Sequence, residues 1–230
     1  MRDAWRLSVG TLTAIRVDPP TAVTPATARG AMLLAPVAVL PLGVLVALVL
    51  WAGDAADAPP LAVGLLAVAV VALGTRALHW DGVSDVADGL TASYDPERSL
   101  AVMKTGTSGP AGTLAVVLVV GLQAAAFAAL LDDPLVAGAA VCLSRCALWI
   151  VCARPVPPAR SGGLGGSFTR TVPVPAAVVG GLLTGVLPAL VVLVLIARCV
   201  RRFGGVTGDV MGAAIEACLA TMLLGLACAL

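Results

Sequence analysis

Residues 171–197 run for 27 positions without a charge, and the chain holds several such stretches. A run of about 20 apolar residues is long enough to cross the roughly 30 Å hydrocarbon core as an α-helix. No other feature narrows the possible folds as much. The composition agrees, with 60% of the 230 residues hydrophobic and only 12% charged. A soluble domain carries about 25% charged residues. The mean hydropathy is +1.03. The period-two alternation of outer-membrane barrels is absent. The expected fold is all-α: a polytopic integral membrane helical bundle of about six to seven hydrophobic segments, in one domain over 1–230.

Residues 1–29 are polar, with Arg2, Arg6, Arg16, Arg29 and the patch Asp18-Pro19-Pro20. Trp5, Leu7, Val9, Leu12 and Ile15 suit a short interfacial helix, or alternatively a lid near a site. No cleavable signal peptide is expected, because the first apolar run begins only at Gly30. Ala31–Trp51 reads as a first span kinked by Pro36 and Pro41, and Leu61–Gly74 as a second that ends at Arg76. Thr113–Leu131, Leu135–Ala153 and Val210–Leu230 read as further spans. The fourth of these segments in chain order is interrupted by Arg145, and the last contains Glu216. Six cysteines, Cys142, Cys146, Cys152, Cys199, Cys218 and Cys228, form no CxxC pair and read as small apolar residues at helix contacts.

Lys and Arg in short loops set orientation. Asp54/Asp57 and Asp132/Asp133 lie in loops without basic residues and are expected outside. The N-terminus, 76–104 and 154–170 hold ten of the fourteen basic residues and are expected in the cytoplasm. If 171–197 were one span, Arg198, Arg201 and Arg202 would lie outside. A re-entrant hairpin turning near Gly185–Pro188 keeps them inside, and is preferred for that reason. Basic patches interleaved with aromatics are missing, so no nucleic-acid partner is expected.

The chemistry concentrates in His79-Trp80-Asp81-Gly82-Val83-Ser84-Asp85-Val86-Ala87-Asp88-Gly89. Asp81, Asp85 and Asp88 stand at i, i+4 and i+7, within roughly 60° of arc on a helix. Three carboxylates that close stay ionised together only around a cation, and hard oxygen ligands suit Mg²⁺. Helix capping would explain one of the three, or two. Gly82 and Gly89 permit close approach of a ligand or another helix. His79, the only histidine, is either a structural residue or a base beside Asp81. Lys104–Gly112 is Gly-rich ahead of a helix, so it is either a phosphate cradle or a plain connection. Arg160–Arg170 combines Gly162, Gly163, Gly165 and Gly166 with two arginines, which suits a polyphosphate or a flexible linker. Asp209, Gly212 and Glu216 share a helix face. Glu216 needs a partner, and Arg145 is the only intramembrane cation. Together these groups suit Mg²⁺-assisted attack of a hydroxyl on a phosphoanhydride.

The segment His79–Gly89 resembles the H-x-D-G-L-x-D-x-x-D-G signature of the cobalamin synthase family, adenosylcobinamide-GDP ribazoletransferases. Gly204-Gly205-Val206-Thr207-Gly208-Asp209-Val210-Met211-Gly212-Ala213-Ala214-Ile215-Glu216 resembles that family's G-G-x-T-G-D-x-x-G-A-x-x-E segment. Ser144-Arg145, Gly163-Leu164-Gly165 with Phe168, and Leu12–Val17 are smaller echoes. The resemblance implies a membrane enzyme joining adenosylcobinamide-GDP to α-ribazole or its 5′-phosphate, with release of GMP and a need for Mg²⁺. It implies Asp81, Asp85, Asp88 and Asp209 as metal ligands, with His79 and Lys104 beside those acids in the catalytic set. It further implies Arg145, Gly163, Gly165, Arg170 and Gly208 as substrate contacts and Glu216 as support. The implied partners are corrinoid and nucleoside substrates, the lipid bilayer and other cobalamin-assembly enzymes. The implied location is the cytoplasmic membrane, multi-pass, with the site on the cytoplasmic side. One departure stands out. The family pattern M-K-D-S-R-x-G meets Thr105-Gly106-Thr107-Ser108 here, without its acid or its arginine.

Three other classes fit less well. A CDP-alcohol phosphotransferase needs Ala-Arg after Asp-Gly, where Val83-Ser84-Asp85 stands. An intramembrane prenyltransferase carries two acidic motifs, and only one is clear. A transporter would show an internal repeat, and none is evident.

Overall fold

The computed structural model describes residues 1–229. Helices α1 (Arg2–Leu12) and α2 (Pro25–Ala38) pack as a pair. Helix α1 buries Ala4, Leu7, Val9 and Leu12 and leaves Trp5 exposed, so it is amphipathic as expected. Thr24 caps α2 by accepting from the Thr27 amide at 3.1 Å. Pro25 sits at the first helical position, where its missing N–H costs nothing.

Helix α2 runs through Val39 into α3 (Leu40–Ala55), giving one apolar stretch of 31 residues. Pro36 and Pro41 flank that junction, where the kink was expected. Helix α7 (Pro110–Ala128) is a second span. A third, Pro134–Val151, comprises α8 (Pro134–Leu143), a 3-10 turn at Ser144–Cys146 and α9 (Ala147–Val151). The fourth is α13 (Gly208–Ala227).

Helix α4 (Pro60–Gly74) is too short to cross alone, since its 15 residues rise roughly 22 Å. A bend of 94° separates it from α5 (Leu78–Ala92), and the two together make a broken span or a re-entrant loop. The bend is made by Arg76 and Ala77, both left-handed with φ of 58° and 55°. Neither is glycine, so the conformation costs about 1 kcal/mol at each. Contacts to the N-terminal segment hold it. Arg76 donates to the Gly10 carbonyl at 2.8 Å, and the Ala14 amide donates to the Gly74 carbonyl at 2.7 Å. The acidic helix is therefore not a surface appendage of the second span. It turns inward and packs against α7 and α13.

A short helix α6 (Pro96–Val102) follows α5, and α10 (Gly163–Phe168) lies in the loop after α9. Helices α11 (Val174–Thr184) and α12 (Val186–Phe203) meet at Gly185, whose φ is 92°. A Cβ on Gly181 would lie 3.6 Å from that of Ala189. Residues eight apart in one helix would be about 12 Å apart. The chain thus folds back at Gly185, as the charge pattern predicts. Helix α11, rising only about 16 Å, does not cross a bilayer alone.

Glycines set how closely the helices meet. A Cβ on Gly43 of α3 would lie 2.6 Å from the Gly138 carbonyl of α8. A Cβ on Gly82 of α5 would lie 2.5 Å from the Asp209 carbonyl of α13, and one on Gly212 would lie 3.0 Å from the His79 Cα. Small residues allow backbones this close, where dispersion and polar contacts replace the hydrophobic effect.

Candidate active site

The α5–α13 seam brings the two sequence motifs together. Asp81 is exposed and Asp85 half-buried on α5. Asp209 stands in the first turn of α13, where Thr207 caps the helix and donates to the Asp209 carboxylate at 3.0 Å. Asp85 feels the charges of Asp81, Asp209 and Asp88, and Asp209 those of Asp81 and Arg160. None of the four acids forms an ion pair among the described residues. No three acidic, His or Cys side chains among those residues converge into a ready metal cage. Mg²⁺ does not ask for one. It is held by one or two carboxylates, with waters and substrate phosphates completing the shell. Asp81 and Asp209, which line one cavity together, supply two oxygen donors of that kind, with Asp85 one turn from Asp81 on α5.

Asp88 faces another task. Its two carboxylate oxygens accept from the amides of Gly109 and Gly112 at 2.6 and 2.8 Å. They thereby satisfy free N–H groups at the start of α7. A Cβ at Gly112 would collide with the Asp88 carboxylate and the Ser84 hydroxyl, so glycine there admits the cap. Ser84 and Ser108 hydroxyls stand 2.8 Å apart. The segment lacking the family's acid and arginine is thus laid on α5.

His79 and Glu216 meet below the acids. Nδ1 of His79 donates to Oε1 of Glu216 at 3.1 Å, and Nε2 of Gln123 donates to Oε2 at 2.9 Å. All three side chains are buried. This corrects the sequence reading, which made Arg145 the partner of Glu216. Arg145 is fully buried at the 3-10 turn, and its Nη1 donates to the Val141 carbonyl and the Ser144 hydroxyl at 2.7 and 2.9 Å. Its Nε and Nη2 have no protein partner. Nor does Arg145 line either cavity described below, so the structure does not place it against a substrate.

Two cavities adjoin the acids. The first, about 240 Å³, has an apolar wall that includes Leu12, Leu148, Phe168, Met211 and Ile215. Arg76, His79, Asp81 and Asp209 also line it, and α1 supplies one side, consistent with the lid alternative. The second, about 600 Å³, is lined by Lys104, Arg160, Thr207 and the backbone of Gly162, Gly163 and Gly165. Its walls are joined by paired backbone bonds, Ala159 to Val206 and Val206 to Pro157, each 3.0 Å. Gly208 and Asp209 belong to both cavities. Lys104, Gly163, Gly165 and Gly208 therefore fall together as expected. Arg170 does not, being exposed and outside both walls, because the chain turns away at its φ of 61°. Of the two arginines that flank this loop in the sequence, Arg160 alone lines the cavity.

Some site residues carried a signal that was missed. Gln123 is the only amide side chain in the chain and lies inside an apolar helix, which marks a buried polar contact. Arg76 carried none, since only the bend brings it to the cavity.

Fold and site together define a polytopic membrane enzyme whose acidic centre lies between two helices of its bundle. Residues 4–227 match the family described as cobalamin-5-phosphate synthase, and the chain belongs to that family. It is 69% identical over 224 residues to an adenosylcobinamide-GDP ribazoletransferase of Nocardioides sp., covering 97% of this chain and 98% of the relative. It is 38% identical to the protein of that name from Pseudomonas paraeruginosa, over 80% of this chain and 83% of the relative. A relative of the same name from Brucella anthropi is 32% identical over 85% and 84%. No solved structure matches the chain significantly.

Proposed function

We propose that this protein transfers the adenosylcobinamide-phosphate part of adenosylcobinamide-GDP to α-ribazole or its 5′-phosphate. The products are GMP and adenosylcobalamin or its phosphate. One observation carries the reading beyond kinship. Asp81 and Asp209 line the first cavity together, Asp209 also lines the second, Asp85 lies one turn along α5 from Asp81, and none of the three is ion-paired among the described residues. Asp81 and Asp209, with Asp85 beside them, would hold Mg²⁺, and the ion would supply charge neutralisation at the diphosphate and the leaving group.

The remaining groups have separate tasks. Lys104 and Arg160 attract the phosphates and offset their charge. Gly163, Gly165 and Gly208 expose backbone where a side chain would block the substrate. Glu216 and Gln123 fix the ring of His79 against the first cavity. The site faces the cytoplasm, because Arg76, Lys104 and Arg160 at the cavities belong to the segments rich in basic residues. Other enzymes of cobalamin assembly would then deliver or collect substrates at the same surface.

The test is GMP release from protein in liposomes, supplied with adenosylcobinamide-GDP, α-ribazole 5′-phosphate and Mg²⁺. Turnover that stops on chelation and returns with Mg²⁺ is expected. Well-folded protein that releases no GMP would refute the reading, and turnover unaffected by chelation would refute the metal.

A further inference from the structure

The reaction joins two substrates at one phosphorus, and the two cavities meet at one wall. We propose that the apolar cavity receives the aromatic base of the ribazole, and the basic cavity the guanosine-phosphate leaving group. The reacting phosphate then lies at the Gly208–Asp209 wall between them. This rests on the transferase reading above and deepens it.

Phosphoryl transfer requires the attacking and leaving oxygens roughly in line on opposite sides of phosphorus. A ribose hydroxyl oxygen bonds to the phosphorus that carries the cobinamide. The bond from that phosphorus to the bridging oxygen breaks, GMP departs with the electron pair, and the hydroxyl proton is released to water. Nucleophile and leaving group must therefore occupy separate spaces flanking one point. Gly208 and Asp209 are common to both cavities, and Asp81 lines the first beside Asp209.

The linings assign the sides. The first cavity, about 240 Å³, presents Leu12, Leu148, Phe168, Met211 and Ile215 on its apolar side, which suits a flat ring system, and Arg76, His79, Asp81 and Asp209 on its polar side, where the ribose would lie. The second, about 600 Å³, carries Lys104 and Arg160 with the glycines of the 162–165 loop, and suits a nucleotide phosphate. The bulky corrinoid fits neither and remains outside, joined through its phosphate.

Steady-state kinetics on the full chain in liposomes test the assignment. Met211→Trp fills the apolar cavity from α13. Thr11→Trp fills it from the half-buried side of α1. Each is expected to raise KM for α-ribazole 5′-phosphate about tenfold or more. KM for adenosylcobinamide-GDP and the inhibition constant of GMP should stay within about twofold. Arg160→Ala should do the reverse, weakening GMP inhibition about tenfold with little change for the ribazole. The opposite pattern, or equal rises for both substrates, would overturn the assignment while turnover by the wild type left the transferase reading standing. Absence of turnover in the wild type would instead strike that reading.

Discussion

The α3–α8 and α5–α13 seams use one device for different ends. In each, a glycine on one helix meets backbone of the other. A Cβ on Gly43 would lie 2.6 Å from the Gly138 carbonyl, and one on Gly82 would lie 2.5 Å from the Asp209 carbonyl. Around Gly43 and Gly138 the neighbours are Ala47 and Cys142, and the result is close-packed apolar structure. Around Gly82 and Gly212 the same approach sets Asp81 and Asp85 beside Asp209 and lays His79 on Glu216. Close packing of helices is thus a scaffold. By the reading proposed here, the acids placed next to the glycines turn one seam into a site.

The largest change should come from removing the buried carboxylate under the second seam. Glu216→Ala strands His79 and Gln123 in the interior and is expected to destabilise the protein by about 3–5 kcal/mol. Thermal unfolding in detergent would measure it. A loss no larger than that of an exposed residue would mean that the second seam does not depend on its polar core.

Gly43→Ala and Gly82→Ala separate packing from chemistry. Each inserts a methyl where backbone already stands, at about 1–3 kcal/mol. The rate per folded molecule should fall only for Gly82→Ala, because only that seam positions acids. Equal rate losses would dissolve the distinction.

Asp88→Asn removes one of two acceptors at the start of α7. The expected loss is about 1–2 kcal/mol, typical of a damaged helix cap. Its Mg²⁺ requirement should move less than that of Asp81→Asn, as a titration of rate against Mg²⁺ would show. The smallest effect is expected far from either seam. Arg6 and Asp18 pair at 2.6 Å with the Asp18 side chain 77% exposed, so Asp18→Asn should cost under about 1 kcal/mol and less in high salt.

Much of this arrangement was legible beforehand. The apolar runs mark the spans, because the bilayer demands length and a charge-free core. The Gly185 reversal followed from the need to keep Arg198, Arg201 and Arg202 with the other cations. Both site helices were legible because their acids and glycines recur at helical spacing. The bend before α5 was not, since Arg76 and Ala77 are neither glycine nor proline, and contacts from residues 10 and 14 hold it. Counting charges alone paired Glu216 with Arg145. The actual partners, Gln123 and His79, are uncharged or only conditionally charged, so an ion-pair rule passes over them. Asp88 was read with its helix-mates because spacing shows which face a residue shares, not what lies opposite.

The central claim is that transfer takes place where Asp81 and Asp209 meet across the α5–α13 seam. The direct measurement is GMP release in liposomes by Asp81→Asn and Asp209→Asn, with unfolding curves confirming folded protein. Rates at least about 100-fold below wild type are expected, the scale for losing a group that stabilises transition-state charge. Folded variants that release GMP at the wild-type rate would place the chemistry elsewhere in the molecule.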